Sequence, residues 1–235
     1  MSWAEQAENW IAWTRTGDDG YTAYNASFFE LLPPPAGRTI EIGCGEGRVA
    51  RDLRRLGHDV VGVDAVPRLV RAAAEADPGG QYVVADASEL PFEDASFDLA
   101  VAYNSLMDIE DDMSVAVREA WRVLRPGSRF CICVTHPVND AGRFEPDTAD
   151  GIFVMDVYRG RRRYDEVWER DGVAMRFVGW CYPLESYTRA LEDAGFVIEA
   201  IREPLPSAER LATKPRAARR LRIPNFLMLR ALKPA

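Results

Sequence analysis

The sequence contains few of the residues that build metal sites or disulfide frameworks. Its 235 residues include two histidines and four cysteines, and no two cysteines are spaced as C-x-x-C, so no metal site is expected. Cys131 and Cys133 alternate along an apolar run and are expected to be buried free thiols on one side of a strand. No run approaches the ~20 apolar residues that cross a bilayer, and Met1–Glu5 lack the features of a secretion signal. These absences predict a cytoplasmic protein without a membrane partner.

Basic residues are in the minority. Lys and Arg number 29 against 37 Asp and Glu, which gives a net charge of −8. Because polyanion binding needs a surplus of positive charge, a general nucleic-acid binder is not expected. Two local basic runs, Arg161–Arg163 and Lys214–Arg222, are candidates for contact with RNA or an acidic substrate. A solvated surface is the interpretation that the acidic composition favours for both.

From Arg38 onward, short apolar runs alternate with segments of helical periodicity. The runs are continuous rather than alternating, which indicates strands that are buried on both faces under helices. Strands that alternate with helices predict an α/β fold with a doubly wound, mostly parallel sheet. The five strands predicted in this way are Thr39–Ile42, Asp59–Asp64, Tyr82–Ala85, Phe97–Tyr103 and Phe130–Thr135.

Two segments depart from this alternation within what we expect to be a single domain, 1–235. Residues 1–35 are aromatic-rich and helical in pattern, and they end at Pro33–Pro35. Residues 137–182 predict a small antiparallel insertion after the fifth strand. Its predicted parts are Ile152–Tyr158, a basic turn at Arg159–Arg163, Tyr164–Arg170 and Val173–Trp180, and residues 207–222 are expected to form a surface connection.

A glycine cluster follows the first predicted strand. Gly43, Gly45 and Gly47 permit positive φ and leave bare backbone against which a ligand can lie, and the next helix offers unpaired N–H groups. Their spacing, G-x-G-x-G, differs from both the dinucleotide fingerprint and the P-loop. A nicotinamide dehydrogenase is therefore a remote alternative.

Three carboxylates accompany these glycines. Glu41 precedes them in the strand, where it would repel a pyrophosphate but can accept from an amine. Asp64 and Asp86 end the second and third strands, and the carboxyl ends of parallel strands share one edge of the sheet. Asp64 is suited to the two hydroxyls of a ribose and Asp86 to an exocyclic amine such as adenine N6. The predicted ligand is an adenosine with a cationic or amino-bearing tail.

At this point the chain resembles the class I, seven-stranded S-adenosylmethionine-dependent methyltransferases, from about Tyr21 to the C-terminus. The combination of motifs in this order is far more specific than any one of them. They are Thr39–Gly47, Val61–Asp64, Val84–Ala87, Ser96–Leu99 and Val123–Gly127.

The resemblance implies S-adenosylmethionine as the cofactor and a role for each motif. The loop Gly43–Gly47 would lie against the methionine tail, Asp64 would hold the ribose, and Asp86 with the Ala87 N–H would recognise adenine. Ala65, next to Asp64, is a further predicted cofactor contact. Asn104 would close the site after the fourth strand. The resemblance also implies a seven-stranded sheet with an antiparallel last strand, for which Phe196–Ile201 and Phe226–Leu232 are the closing strands.

In-line methyl transfer needs mainly the alignment of two reactants, because the cofactor already carries the activation. A general base is needed only where the acceptor loses a proton. His136, directly after the fifth strand, is the candidate base, and a histidine that caps the strand end is the alternative. Relatives often have two histidines after the fourth strand, whereas this chain has Met107–Asp108. His58, in a turn, is expected to be solvated.

Two segments are candidates to cover the site. Residues 1–35, with Tyr21 as a cofactor contact beside Tyr24 and Asn25, form either a helical lid or ordinary helix packing. The insertion 137–182 is expected to cover the acceptor site, or to form a satellite core, through its aromatic residues. These are Phe153, Tyr158, Trp168, Phe177 and Trp180.

The fourth strand ends in Tyr103–Leu106 and lacks the D/N-P-P-Y element of methyltransferases that act on DNA or glutamine. A small-molecule acceptor, attacked through O, N or C, is therefore the favoured prediction. An RNA or protein methyltransferase and a non-catalytic cofactor-binding module remain alternatives. The identity of the acceptor and the oligomeric state are left open by these patterns.

Overall fold

A computed structural model describes residues 3–16, 20–109 and 113–235 of the chain. The N-terminal segment 1–35 therefore lies outside the described residues at positions 1–2 and 17–19. Its described part is helical, as the sequence predicts. Helix α1 spans Trp3–Thr14 and α2 spans Gly20–Phe29.

The central elements alternate between strand and helix. Strands two and four have the predicted bounds, and the others differ from prediction by a few residues at their ends. The elements are β1 (Arg38–Ile42), α3 (Arg48–Arg55), β2 (Asp59–Asp64), α4 (Pro67–Ala76), β3 (Gln81–Val84), β4 (Phe97–Tyr103), α5 (Met113–Val123) and β5 (Leu124–Thr135).

The later elements include the insertion and the closing strands. They are α6 (Pro137–Asp140), β6 (Gly142–Glu145), β7 (Ile152–Met155), β8 (Arg162–Arg170), β9 (Val173–Cys181), α7 (Leu184–Ala194), β10 (Val197–Arg202), α8 (Ala208–Thr213) and β11 (Phe226–Leu232). None of the helices in the described ranges has the length and apolarity that a membrane crossing requires.

Seven strands form the main sheet, in the order β10-β11-β5-β4-β1-β2-β3. The pairs from β5 to β3 are parallel, and β11 is antiparallel to both of its neighbours. This confirms the predicted seven-stranded sheet with its antiparallel last strand. The strand order reverses between β1 and β4, so ligands of such a sheet lie beyond the carboxyl ends of these strands.

The sheet has a hydrophobic core on each face. Along β4, Ala100 and Ala102 belong to one core and Val101 and Tyr103 to the other, because successive side chains point to opposite faces. Helices α5 and α7 cover the first face, and α2 and α3 cover the second. The two thiols of Cys131–Cys133 are free and buried in the second core, as predicted. Helices on both faces make the sheet doubly wound.

Strand β3 is less covered than its apolar sequence suggests. Val84 is 49% exposed, and none of the four residues of β3 is buried. The strand lies at the edge of the sheet and pairs with β2 alone. A run of apolar residues therefore indicates burial on both faces here only for the inner strands.

The insertion forms two antiparallel ribbons rather than the single predicted excursion. β7 pairs with β6, a strand that the sequence pattern did not reveal, and β8 pairs with β9. The basic residues Arg159–Arg163 connect the two ribbons and enter β8, so they are not the turn of one hairpin. Residues 207–222 lie at the surface as predicted, although α8 and a 3₁₀ turn at Pro215–Leu221 give them structure.

Candidate active site

The glycine loop, Gly43–Gly47, joins β1 to α3 at the carboxyl edge of the sheet. Gly43 and Gly47 have φ of 75° and 83°, a region that favours glycine. A Cβ at Gly43 would lie 2.3 Å from Cβ of Ser105, and one at Gly47 would lie 2.8 Å from Cβ of Ala73. The loop therefore needs glycine for backbone conformation and for close packing at both positions.

Asp64, at the end of β2, binds this loop directly. Its Oδ2 accepts from the Gly45 N–H at 2.8 Å, and its Oδ1 accepts from the Val66 N–H at 2.9 Å. Burial raises the pKa of Asp64, and the two N–H donors partly oppose that rise. The structure thus brings Asp64 and the glycine loop together, as predicted. Ala65, the next residue, is exposed at the same edge.

Asp86 lies at the neighbouring strand end. Val84, the last residue of β3, pairs with Asp64, and the Ala85 N–H donates to the Asp64 carbonyl at 3.0 Å. Asp86 Oδ1 accepts from the N–H and the hydroxyl of Ser88, at 2.8 and 2.7 Å, which orients an otherwise exposed carboxylate. Ala87 is half-buried and packs against the first core. Both strand-tip acids therefore lie on the predicted edge.

Glu41 is a buried acid on β1, with 1% of its surface exposed. Its Oε2 has no hydrogen-bond partner among the described residues, whereas the Ala50 N–H bonds to the carboxyl group. Burial, together with the nearby charge of Glu46, raises the pKa of Glu41 well above its usual value. A buried carboxyl group with an unpaired oxygen is stabilised by a cationic or amino donor nearby.

Asn104 follows β4 in a left-handed conformation, with φ of 52°. Its N–H donates to the Cys133 carbonyl at 2.7 Å, and its Oδ1 is buried without a partner in the described part of the chain. The next residue, Ser105, donates its hydroxyl to the Ile42 carbonyl at 2.6 Å and so ties this segment to the start of the glycine loop. Asn104 thus lies beside the loop with an open acceptor atom.

These residues fit an unphosphorylated cofactor with a positive tail. Two buried polar atoms of the site, Glu41 Oε2 and Asn104 Oδ1, lack a hydrogen-bond partner among the described residues, and both are acceptors. The strand-tip groups of Asp64 and Asp86 are also carboxylates. A phosphate would meet repulsion from the carboxylates of Asp64 and Asp86, whereas an ammonium or a sulfonium would not. This set of acceptors therefore matches S-adenosylmethionine better than a dinucleotide.

Tyr21 occupies a different environment from the one predicted for a cofactor contact. Its hydroxyl donates to a carboxyl oxygen of Asp52 on α3, and its ring packs edge-on against Tyr103, with centroids 5.3 Å apart. The Arg48 guanidinium covers the other side at 4.5 Å, and Tyr21 is buried in the second core. Ordinary helix packing accounts for these contacts, and a role of Tyr21 in cofactor binding stays a prediction.

Helix α1 reaches the glycine loop through Trp10. A Cβ on Gly45 would lie 3.2 Å from the Trp10 indole nitrogen, so this ring rests on the bare backbone of the loop. Trp10 also packs edge-on against Phe177 of β9, at 6.3 Å. Arg170 of β8 holds the end of α1: it covers the Trp13 ring at 4.0 Å and donates to the Trp13 carbonyl at 2.9 Å. The sequence pattern did not assign Trp10 to the site.

His136 is a helix cap in the structure. Its Nδ1 accepts from the Val138 N–H at 3.1 Å, so Nε2 carries the proton and donates to Glu203 Oε1 at 2.9 Å. Burial lowers the pKa of His136, and Glu203 partly opposes the shift. Since both ring nitrogens are engaged within the protein, the geometry supports the capping alternative over the catalytic base.

Asp108 lies at the same edge of the sheet, and the sequence pattern assigned no role to it. It ends a 3₁₀ turn, Leu106–Asp108, directly after β4, and its Oδ1 accepts from the Tyr164 hydroxyl of β8 at 3.1 Å. Burial raises the pKa of Asp108 to about 8. The one available signal was its place in the chain, where related sequences often have histidine. The sequence around Asp108 does not indicate that its carboxyl group is enclosed by the protein.

The predicted aromatic cover is only partly assembled. Phe177 packs against Trp10 and against Trp13, the latter at 5.5 Å, and so contacts helix α1. In contrast, Trp168 is 49% exposed, and Phe153 packs within the β6–β7 ribbon against Phe144. Two further residues, Tyr158 and Trp180, contact Leu184 and Arg161 respectively.

Arginines of both basic runs contact other side chains of the insertion 137–182, to which the first run itself belongs. In the first run, Arg161 stacks on Trp180 at 3.9 Å. In the second, Arg219 pairs with Asp147, and Arg222 covers the Phe144 ring at 5.3 Å. Arg161 and Arg222 are exposed, in keeping with the expected solvated surface, although both also stack on aromatic rings.

His58 corrects another expectation. It is buried, with 7% of its surface exposed, although it was predicted to be solvated. Its Nδ1 lies 3.3 Å from the Thr39 hydroxyl, and burial lowers the pKa of the ring. The turn at Gly57 places this imidazole under the amino ends of β1 and β2, far along the strands from the glycine loop.

Comparison with known proteins agrees with this geometry. Residues 40–132 match the family model described as a methyltransferase domain. The 27-O-demethylrifamycin SV methyltransferase of Amycolatopsis mediterranei (strain S699) is 34% identical over 140 residues, which cover 55% of this chain and 51% of that protein. An uncharacterized methyltransferase of Mycobacterium sp. (strain KMS) is 38% identical over 102 residues, 43% of this chain and 40% of that protein. The chain thus matches at most about half of the length of these curated relatives.

The match to solved structures extends over most of the chain. The S-adenosylmethionine-dependent methyltransferase of Mesorhizobium loti superposes with a TM-score of 0.73 at 27% identity. The superposition covers 89% of this chain and 97% of that one. Residues 40–132 thus match the methyltransferase-domain family, and the chain shares its fold with a solved S-adenosylmethionine-dependent methyltransferase.

Proposed function

We propose that this protein transfers the methyl group of S-adenosylmethionine to a small-molecule acceptor by in-line displacement. The observation that carries the proposal is the direct connection between Asp64 and the glycine loop, through the Gly45 N–H. It joins a carboxylate at the end of β2 to bare backbone between β1 and α3. This arrangement is suited to a nucleoside whose tail crosses the loop.

The polar atoms that can still accept a hydrogen bond suggest how the cofactor is held. Each Asp64 oxygen accepts one backbone N–H and retains a lone pair for one ribose hydroxyl. Asp86 and the Ala87 N–H would contact adenine. Glu41 Oε2 and Asn104 Oδ1, both buried and open among the described residues, would face the amino-bearing tail.

The bound cofactor supplies an activated methyl group, so the protein has to align the acceptor and exclude water. The N-terminal lid, residues 1–35, would serve the second purpose, since Trp10 rests on Gly45. The β8–β9 ribbon would support it through Phe177 and Arg170. The insertion 137–182 would then cover the acceptor beside the methyl group.

Two observations support a small acceptor. The Amycolatopsis relative is a methyltransferase named for a rifamycin compound. In addition, Arg216 and Arg219 pair with Asp147, which reduces the charge available to a polyanion. An RNA substrate would need such arginines on an open surface.

The cofactor site is tested by Asp64→Ala. Calorimetry with S-adenosylhomocysteine should show at least about a 100-fold loss of affinity, because a charged hydrogen-bonding group is removed from a buried site. Asp59→Ala, at the exposed opposite end of the same strand, is the matched control and should bind normally. Unchanged affinity in Asp64→Ala, with a normal melting temperature, would refute the site assignment.

The acceptor class is tested with methyl-labelled cofactor and separated cell fractions. Label should enter low-molecular-mass compounds. Label confined to RNA or protein would instead support the alternative methyltransferase class, and binding of the cofactor without transfer to any fraction would support a non-catalytic module.

A further inference from the structure

The β8–β9 ribbon places a phenol on a carboxylate at the edge of the sheet. Tyr164 and Gly179 pair across the ribbon, and both lie against Asp108, which follows β4. The Tyr164 hydroxyl donates to Asp108 Oδ1 at 3.1 Å, across 56 residues of sequence. This contact links the insertion to the edge that carries Asp64 and the glycine loop.

The contact depends on the absence of a side chain at Gly179. A Cβ at Gly179 would lie 2.6 Å from Asp108 Oδ1 and 2.7 Å from the Tyr164 hydroxyl oxygen. Because Gly179 has φ outside the left-handed region, its conformation is open to other residues. Close packing is therefore the reason that this position suits glycine.

The protein encloses most of the carboxyl group of Asp108. Asp108 retains part of its accessible surface, and Tyr164 is the one donor to it among the described residues. Burial is the main cause that raises its pKa to about 8, and the charge of Asp64 adds to the rise, whereas the Tyr164 hydroxyl opposes it. Tyr187 of α7 is the other titratable group that senses its charge. A base with a pKa near the working pH is the efficient kind.

We propose that Asp108 is the general base of the methyl transfer, that Tyr164 positions it, and that the acceptor is a hydroxyl compound. This inference rests on the proposed function. A hydroxyl group must lose its proton as its oxygen is methylated, whereas a tertiary amine or a thiolate has none to lose. A base at the carboxyl edge of the sheet, the edge that also carries Asp64, therefore assists a hydroxyl acceptor and is of no use to a tertiary amine or a thiolate.

The step balances without a further reactant. A bond forms between the acceptor oxygen and the methyl carbon, and the carbon–sulfur bond breaks with its electron pair left on sulfur. The hydroxyl proton moves to Asp108, which later releases it to solvent. The products are a methyl ether and S-adenosylhomocysteine.

The first test needs no acceptor. Carboxyl ¹³C NMR of the protein with bound S-adenosylhomocysteine should show one aspartate that titrates near pH 8, and Asp108→Asn should remove that signal. Tyr164→Phe should move the titration to higher pH, because the donor that favours the carboxylate is lost. A signal that titrates near pH 4, the usual value for aspartate, would overturn the proposal.

The second test uses labelled S-adenosylmethionine with a panel of phenols and alcohols and a matched panel of tertiary amines and thiols. Transfer should occur to hydroxyl compounds, and Asp108→Asn should lower kcat for them by ~10²–10⁴-fold. Tyr164→Phe should shift the pH–rate profile upward with a smaller loss. Asp165→Asn, an exposed acid of the same ribbon that pairs with Arg176, is the matched control and should keep the wild-type profile.

Three results would overturn the inference. The first is an unchanged rate and pH–rate profile in Asp108→Asn, and the second is transfer confined to amines or thiols. The third is a protein that binds S-adenosylhomocysteine but transfers methyl groups to no hydroxyl compound. Failure of the wild type to bind S-adenosylhomocysteine would instead remove the proposed function. Because the raised pKa keeps Asp108 protonated in the fold to a higher pH than in the unfolded chain, stability falls as pH rises from about 4 to about 8 and levels off above that range. Asp108→Asn should therefore raise the melting temperature at pH 9 and leave it nearly unchanged below pH ~4. The opposite order would also count against the assignment.

Discussion

The two halves of the candidate active site are built by different means. In the cofactor half, the glycine loop Gly43–Gly47 and Asp64 meet through backbone N–H donors, 19 residues apart in the sequence. In the insertion half, residues 137–182, side chains from distant segments meet one another. Asp108 contacts Tyr164 across 56 residues, and Asn139 contacts Arg220 across 81 residues.

This difference has a physical basis. A strand, a glycine turn and a helix start impose nearly the same geometry wherever they follow one another, so the cofactor half is encoded locally. Contacts between long side chains depend on how separate ribbons pack on the edge of the sheet. The cofactor half is therefore expected to be intolerant of small backbone changes, and the insertion half to respond to loss of individual side chains.

Gly43→Ala should have the largest effect. At φ of 75°, a Cβ would lie 2.3 Å from Cβ of Ser105. Strain and overpacking together should cost about 2–4 kcal/mol of unfolding free energy. Affinity for S-adenosylhomocysteine, measured by calorimetry, should fall at least about 100-fold, because the loop must shift.

Gly127→Ala is the matched control for this change. Gly127 has φ of 83°, but a Cβ there meets nothing within 4 Å. It should cost only the backbone strain, about 1–2 kcal/mol, and leave cofactor affinity unchanged. Equal loss of affinity in both variants would show that the close contact with Ser105 is irrelevant to the loop.

Arg170→Ala should have an intermediate effect that is confined to the covering segments. It removes the guanidinium that stacks on Trp13 and binds its carbonyl, and so weakens the attachment of α1 to the β8–β9 ribbon, which Phe177 still contacts. Cofactor affinity should fall by about 10-fold, since a cation–π contact and a charged hydrogen bond are lost. Isothermal calorimetry measures this change directly.

Arg176→Ala, on the same ribbon and paired with the exposed Asp165, should retain cofactor affinity. If Arg170→Ala binds as tightly as this control, α1 does not act as a lid. Ordinary helix packing would then be sufficient to explain residues 1–35.

His136→Ala should have the smallest effect on function. Loss of the cap to the Val138 N–H and of the contact with Glu203 should cost about 1–2 kcal/mol, or roughly 2–8 °C in melting temperature. Ser207→Ala, which removes a surface helix cap, provides a comparison of similar size. A large loss of transfer rate without a loss of stability would restore His136 as the base.

The pH dependence of stability supplies a second check on His136. Its folded pKa is lowered by burial, so the unfolded chain binds more protons near pH 6.5 and the wild type loses stability as pH falls through that value. His136→Ala should weaken this dependence. His58, whose pKa is also lowered by burial, should account for part of what remains.

Much of the sheet could be predicted from the sequence. Strands β2, β4 and β11 have the predicted bounds, because apolar runs between glycine or polar residues specify inner strands well. Two predictions failed for one reason. Burial of His58 and the existence of β6 both depend on neighbours that lie far along the chain, and local patterns contain no information about those neighbours.

By itself, the sequence determined the order of strands and helices, the glycine loop and the acid that binds it, because these depend on backbone conformation over short stretches of chain. Only the tertiary structure decided that Asp108 is enclosed beneath Tyr164, that His136 is a cap and that Trp10 rests on Gly45. Each of these depends on the packing of segments that no local preference brings together. The environment of a side chain, and with it the acidity of Asp108, is a property of that packing.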